Sequence, residues 1–511
     1  MKMTEPRVDG PAQEQIRAYV HEVEDIGEPV IRRPRTARGV ALVGARILTG
    51  TIGIGVAVVT IAAAVLLPLP RVAVAPVSRL VTPVAAAQQR VCAGPLLRLG
   101  DDSGQGATTV SSVGQPVVQF NQTVGQATIA SLASTNNTAG VAPQLLTLLP
   151  VKPTQLGLPP LLSASQVQSI AAGDLVGLAA AQCVEAANDS WLVGGSTKTG
   201  RTTLITLSNP SKVIATVDLS IFSETGPVPA AGSDGIVVAP GGQRVLSMAG
   251  FAPNLASLVV RVQSRGGLVV ATLQQSIVRT LEPGGVDIIG AAAGPSTLNV
   301  IPGLTIANGV AVAAKQAQDG FADLGSIIRL YLPGTNSARA EITIVPENGA
   351  EPATPVSIVV QPGVVTDVPL DSYPDGSYTV TIATDKPIVA GARVSTVGSA
   401  GQTDFAWSAS AVSVTGRVLV AIAPGPSPLL HLANPTQQNT TVTMAIAGQA
   451  DLHLVVPAGG SITQAVGGGA SYQLSDFRAL AVAVSYNAEG QLAGFGVRPP
   501  APARAAIRIY P

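Results

Sequence analysis

The stretch Ala215–Ser223, ATVDLSIFS, sets Val217, Leu219 and Ile221 against Thr216, Asp218 and Ser220. Apolar residues at every second position bury one face of an extended chain and wet the other, which predicts a half-buried β-strand. The alternation returns at Val442, Met444 and Ile446 against Thr441, Thr443 and Ala445. It returns again at Ala340, Ile342 and Ile344 against Glu341 and Thr343. A short apolar run and a turn precede each strand: Leu204–Leu207 before Asn209-Pro210, Leu429–Leu432 before Asn434-Pro435, and Ile327–Leu332 before Pro333. Proline cannot donate to a ladder, so it ends one strand and starts the turn.

The second half of each copy agrees. An apolar strand runs into a Pro-Gly or Pro-Ala turn in GIVVAPGG from Gly235, SIVVQPG from Ser357 and HLVVPAGG from His453. A hairpin is predicted next, turning at Gly266-Gly267, within Tyr378–Val394, and near Ala488–Gly490. Roughly seven strands per copy predict three tandem immunoglobulin-like β-sandwiches, although the Cys-Trp-Cys pattern of true immunoglobulin domains is missing. Their expected bounds are residues 186–290, 291–410 and 411–511.

Upstream the pattern changes. Ile47–Leu67 carries no charge and is long enough to cross a bilayer as a helix. Arg32, Arg33, Arg35, Arg38 and Arg46 precede it, with only scattered arginines after it. The positive-inside rule then predicts a cytoplasmic tail (1–39), a single plasma-membrane anchor (40–69) and an extracytoplasmic remainder. A cleaved signal peptide is the rival reading. Its charged segment would be unusually long and its apolar run longer than an h-region. Gln13–Asp25 has helical spacing, and the arginine cluster suits anionic headgroups.

Residues 70–185 are expected to form a membrane-proximal α+β region. Ser163–Ala181, with Val167, Ile170, Leu175 and Leu178, predicts a helix broken at Gly173. The chain's two cysteines, Cys92 and Cys183, share the predicted outer compartment, and a disulfide between them is expected.

Composition narrows the function classes. Thirty basic and thirty acidic residues argue against nucleic acid as a partner. Hydrophobic residues at 46% and charged ones at 12% exclude disorder. No HExxH, GxSxG or Walker loop occurs, and two cysteines without neighbouring histidines do not make a zinc site. No cofactor is expected. His431 falls where Thr206 stands in the first copy, and His453 where Ile236 stands; both read as sheet-surface residues rather than bases. Trp191 and Trp407 read as packing residues, with an exposed ligand platform as the sharper alternative.

The flanked anchor, the two-cysteine region, the Cys183…Trp191-x-Val193-Gly194-Gly195 spacing and the Leu-x-Asn-Pro strand end resemble an actinobacterial family of uncharacterised anchored proteins, domain of unknown function 5719. The resemblance runs from Cys92 to Pro511. It implies no activity, catalytic residue or ligand. It implies a high-GC Gram-positive host, in keeping with the excess of Ala, Val and Gly. Three functions stay open: a non-catalytic stalk engaging an envelope protein, a binding module for cell-wall polysaccharide, and an envelope hydrolase. Exposed aromatics in a groove would favour the second, and paired carboxylates in a cleft the third.

Overall fold

The computed structural model describes residues 50–61, 79–81, 87–100, 109–137, 140–150, 160–347, 349, 353–370, 373–499 and 507–509. The described residues divide into two units, one holding residues 50–61 and the other lying within 80–509. In the first, residues 50–61 are helical with exposed Ile and Val side chains. Among the described residues no helix is long and apolar enough to cross a membrane. The remainder of the predicted 47–67 span and the predicted helix at 13–25 lie outside the described residues.

In residues 80–509 the alternation seen in the sequence becomes three strand sets with one pairing order. In the first, Arg201–Asn209 lies between Gly242–Ser247 and Val270–Arg279, with Glu282–Ile289 outermost. Its second sheet sets Ala215–Ser223 between Ile236–Val238 and Leu258–Gly266, with Asp189–Val193 outermost. The second set repeats this with Ile327–Tyr331 between Val365–Pro369 and the end of Gly376–Val397, and Ala338–Pro346 between Val356–Val360 and the start of Gly376–Val397. The third does so with Leu429–Ala433, Thr440–Ala445 and the long strand Ser471–Ala488. In each set the inward residues of both sheets share one core: Ile205 with Val217, Ile328 with Ile342, Leu430 with Val442.

Two expectations are corrected. Leu258–Gly266 and Val270–Arg279 are no hairpin, because each pairs in a different sheet. The chain steps from one sheet to the other at Gly266, whose φ of 77° suits that corner. In the second copy the step occurs inside the single strand Gly376–Val397. The hairpin predicted in the third copy forms, with Ala488 paired to Gln491, at the place where the first copy turns at Arg279–Glu282 and the second at Val397–Thr403. The predicted helix at 163–181 is likewise a β-hairpin, Leu162–Ala172 with Leu175–Cys183, turning at Gly173 (φ 61°). It is buried on both faces over much of its length, so the strand alternation disappears and an Ala-rich apolar run imitates a helix. Cys183, at its end, is joined to Cys92 by a disulfide closing 91 residues of chain.

The repeated Asn-Pro has a specific cause. Asn209 donates to Val213 O and Val238 O and accepts from Ser211 N. Asn434 does the same with Gln438 O, Val456 O and Thr436 N. The buried amide ties the turn to the neighbouring strand, and the following proline prevents the ladder from continuing.

The sets are packed together through faces that would otherwise be wet. Tyr331, on the outer face of the second set, packs against Trp191 and Val259 of the first. Ala433 of the third packs against Val300 of the second. Leu204 of the first packs against Leu97 and Val110. The outermost strands Glu282–Ile289, Thr403–Ala409 and Gln491–Gly496 converge with Leu175–Cys183. There the buried Asp404 accepts from Leu178 N (3.0 Å), Val286 N (3.2 Å) and Leu492 N (3.2 Å). Gly177 and Gly285 let it approach, since a Cβ on either would lie under 3 Å from its Oδ1.

Candidate functional site

Between the first two strands of the second set the chain inserts residues 307–326, where the other copies have only 194–200 and 422–428. The insertion carries the helix Gly309–Gln316. Asp375 starts this helix by accepting from Asn308 N and Gly309 N, both at 2.9 Å. Insertions on a repeated scaffold are where binding surfaces are added. Here the insertion walls a cleft of about 1370 Å³ shared by the first and second sets.

The cleft floor is an arginine–aspartate lattice. Arg329 clamps Asp367 through Nε (2.7 Å) and Nη2 (2.8 Å), while its Nη1 donates to Gly195 O. Arg279 clamps Asp323 through Nε (2.8 Å) and Nη2 (3.1 Å), and Arg201 adds a third bond to the same carboxylate at 2.7 Å. Arg393 donates to Asp323 O and Gly325 O. Burial alone would raise both carboxyls. The arginines outweigh it and hold Asp323 and Asp367 below the usual carboxylate range. Arg393 is pushed down to about 10 by burial, with Asp323 and Asp367 opposing the shift and Arg329 and Arg279 adding to it.

Beneath these guanidiniums lies Trp407, with Arg329 stacked 4.7 Å and Arg393 5.9 Å from its ring. Its Nε1 donates to Gln275 Oε1 at 2.8 Å. Trp407 is 3% exposed and Trp191 6%, the latter stacked among Phe222 and Tyr331. The alternative of an exposed platform is corrected: both rings are covered because outer sheet faces are buried between copies.

His431 is corrected as well, being wholly buried. Its Nδ1 lies 2.5 Å from Glu347 Oε2 and its Nε2 2.8 Å from Ser485 Oγ. Glu347 also accepts from Gly303 N, Thr379 and Thr463. Burial would raise this carboxyl, but the His431 charge and these hydrogen bonds hold it low. A Ser-His-Glu sequence of contacts has the order of a catalytic triad. A smaller cleft of about 570 Å³ reaches Glu347 and Thr463 but neither His431 nor Ser485. Gly303 closes over the imidazole so tightly that a Cβ there would lie 2.6 Å from His431 Cδ2. The group therefore fastens the second set to the third. His453 is exposed, as expected.

The cleft arginines were missed in the sequence. One signal was available: Arg329 occupies the place of Thr206 and His431 in the repeated strand, a charged group inside an apolar run. Among the described residues, no group of His, Cys, Asp and Glu could hold a metal ion.

Paired sheets, a recurring strand order and a walled cleft define a mainly β protein with a ligand-sized opening. The chain belongs to the Family of unknown function DUF5719, whose model matches residues 135–451. No curated protein matches it.

Proposed function

We propose that this chain is a non-catalytic binding protein of the cell envelope, anchored by residues 47–67 with residues after 70 outside the plasma membrane. Its three strand sets are read as immunoglobulin-like repeats that hold the cleft rigid, and its partner as an envelope protein. One observation carries the preference for binding over hydrolysis. Asp323 and Asp367 are both held ionised by arginine, the third lining carboxylate, Asp375, is engaged at the start of the helix, and the cleft lining has no histidine or cysteine. A two-carboxylate hydrolase needs one carboxyl raised enough to deliver a proton near neutral pH. Here both are displaced the other way.

The test pairs crosslinking of the full chain in its native membrane with hydrolysis assays on purified envelope polymers. Capture of an envelope protein without turnover is expected. Turnover that vanishes in Asp323→Asn or Asp367→Asn would overturn the reading. Protease added to intact spheroplasts should digest the repeats and spare the tail; the reverse would remove the topology.

A further inference from the structure

The lattice under the cleft does not balance. Among the described residues, Arg201, Arg279, Arg329 and Arg393 surround two carboxylates, Asp323 and Asp367. Arg279 and Arg329 are 3% exposed at the side chain, and Arg393 as a whole 9%. Buried charges are ordinarily paired, because leaving one unpaired costs far more than a surface charge does. Lys198 adds a further cation to the lining, while Asp375 is engaged at the helix start. Two buried donors of lining residues, Arg393 Nε and Gln275 Nε2, have no hydrogen-bond partner among the described residues. The walls differ in character: Val310, 89% exposed, stands with Ala314, Pro369, Leu370 and Tyr373.

We propose that the cleft binds a ligand bearing an oxyanion, carboxylate or phosphate, on an apolar body. The anion sits over the guanidinium lattice and supplies the missing negative charge. The apolar body lies along the inserted helix. A volume of about 1370 Å³ exceeds the ~300–1,000 Å³ of ordinary small-molecule pockets, so the site suits an extended ligand and not a bare ion. This assignment rests on the binding reading above and specifies the ligand class.

The test is calorimetric titration of the full chain in detergent. The probes are 3-phenylpropionate, phenyl phosphate, neutral benzyl alcohol and inorganic phosphate. The two anionic aromatics should bind at least about tenfold more tightly than either control, and more weakly as salt is raised. Preference between them identifies carboxylate or phosphate. Arg201→Gln should weaken them by about tenfold or more. Val310→Glu places a like charge on an exposed wall position, where folding is unaffected, and should weaken them as well. Equal binding of benzyl alcohol, no binding of any probe, or anion affinity unchanged in both variants would overturn the proposal. Those results would leave the non-catalytic reading standing, since only turnover removes that one.

Discussion

Arg329 and His431 stand at the same place in two copies of one strand, each facing the copy before its own. Thr206 holds that place in the first copy, hydrogen-bonded to Thr272 at 2.6 Å. The surroundings make them different. His431 meets Glu347 and Ser485, Glu347 accepts in turn from Thr379, Thr463 and the Gly303 amide, and the cluster is sealed. Arg329 meets one carboxylate and the Gly195 carbonyl of the first copy, at the floor of the cleft that the inserted segment walls. A polar residue on a repeat face thus becomes a fastener where its partners balance and the copies close. It becomes the floor of a site where cations exceed carboxylates and an insertion walls a cleft.

The strongest way to break this comparison is to remove one member of each group. Glu347→Ala leaves His431 and the Gly303 amide buried without their acceptor and should cost about 3–5 kcal/mol of stability, read by chemical denaturation. Arg201→Ala should cost less, about 1–3 kcal/mol, because Arg201 is 19% exposed and its loss leaves Asp323 still clamped by Arg279. Equal losses would dissolve the distinction between fastener and floor. Gly303→Ala tests closure alone: with φ at 74° and His431 in the way, it should cost about 1–3 kcal/mol while every polar partner is retained. Thr206→Val removes one neutral hydrogen bond and should cost about 1 kcal/mol, the smallest effect at the shared position.

Acid sharpens the contrast further. Glu347, Asp323 and Asp367 all have depressed values in the folded chain. The unfolded chain therefore binds their protons first as pH falls. The stability they contribute is present above ordinary carboxylate values near ~4 and is lost below them. The unfolding midpoint should fall over that window, and Glu347→Gln should flatten the fall. An unchanged profile in that variant would place the acid sensitivity elsewhere.

Alternation in Ala215–Ser223 and the recurring Asn-Pro made the strand copies legible, because both record contacts within a few neighbouring strands. The hairpin at 162–183 was hidden for the opposite reason. Val167, Leu178 and Ala180 are buried in the core cluster of the third set, so neither face of the hairpin stayed polar. His431 misled in the same way, its partner Glu347 lying 84 residues upstream. The cleft is assembled from single arginines spread between Arg201 and Arg393. No local spacing encodes their meeting; only a charge interrupting an apolar strand marked Arg329.

The hub at Asp404 has a consequence for the order of synthesis. Leu178 leaves the ribosome long before Asp404, and Ser169 meets Gln491 across 322 residues of chain. At about 5–20 residues per second the hairpin waits on the order of tens of seconds for its last neighbours. Throughout that interval an apolar strand pair lacks its cover, and closure over so long a separation is slow. Cys92 and Cys183 are both made before the first strand set, so their bond can hold the base of the hairpin during the wait. A hairpin made before all three strand sets is therefore among the last elements to finish folding, and truncating the final copy should leave it exposed.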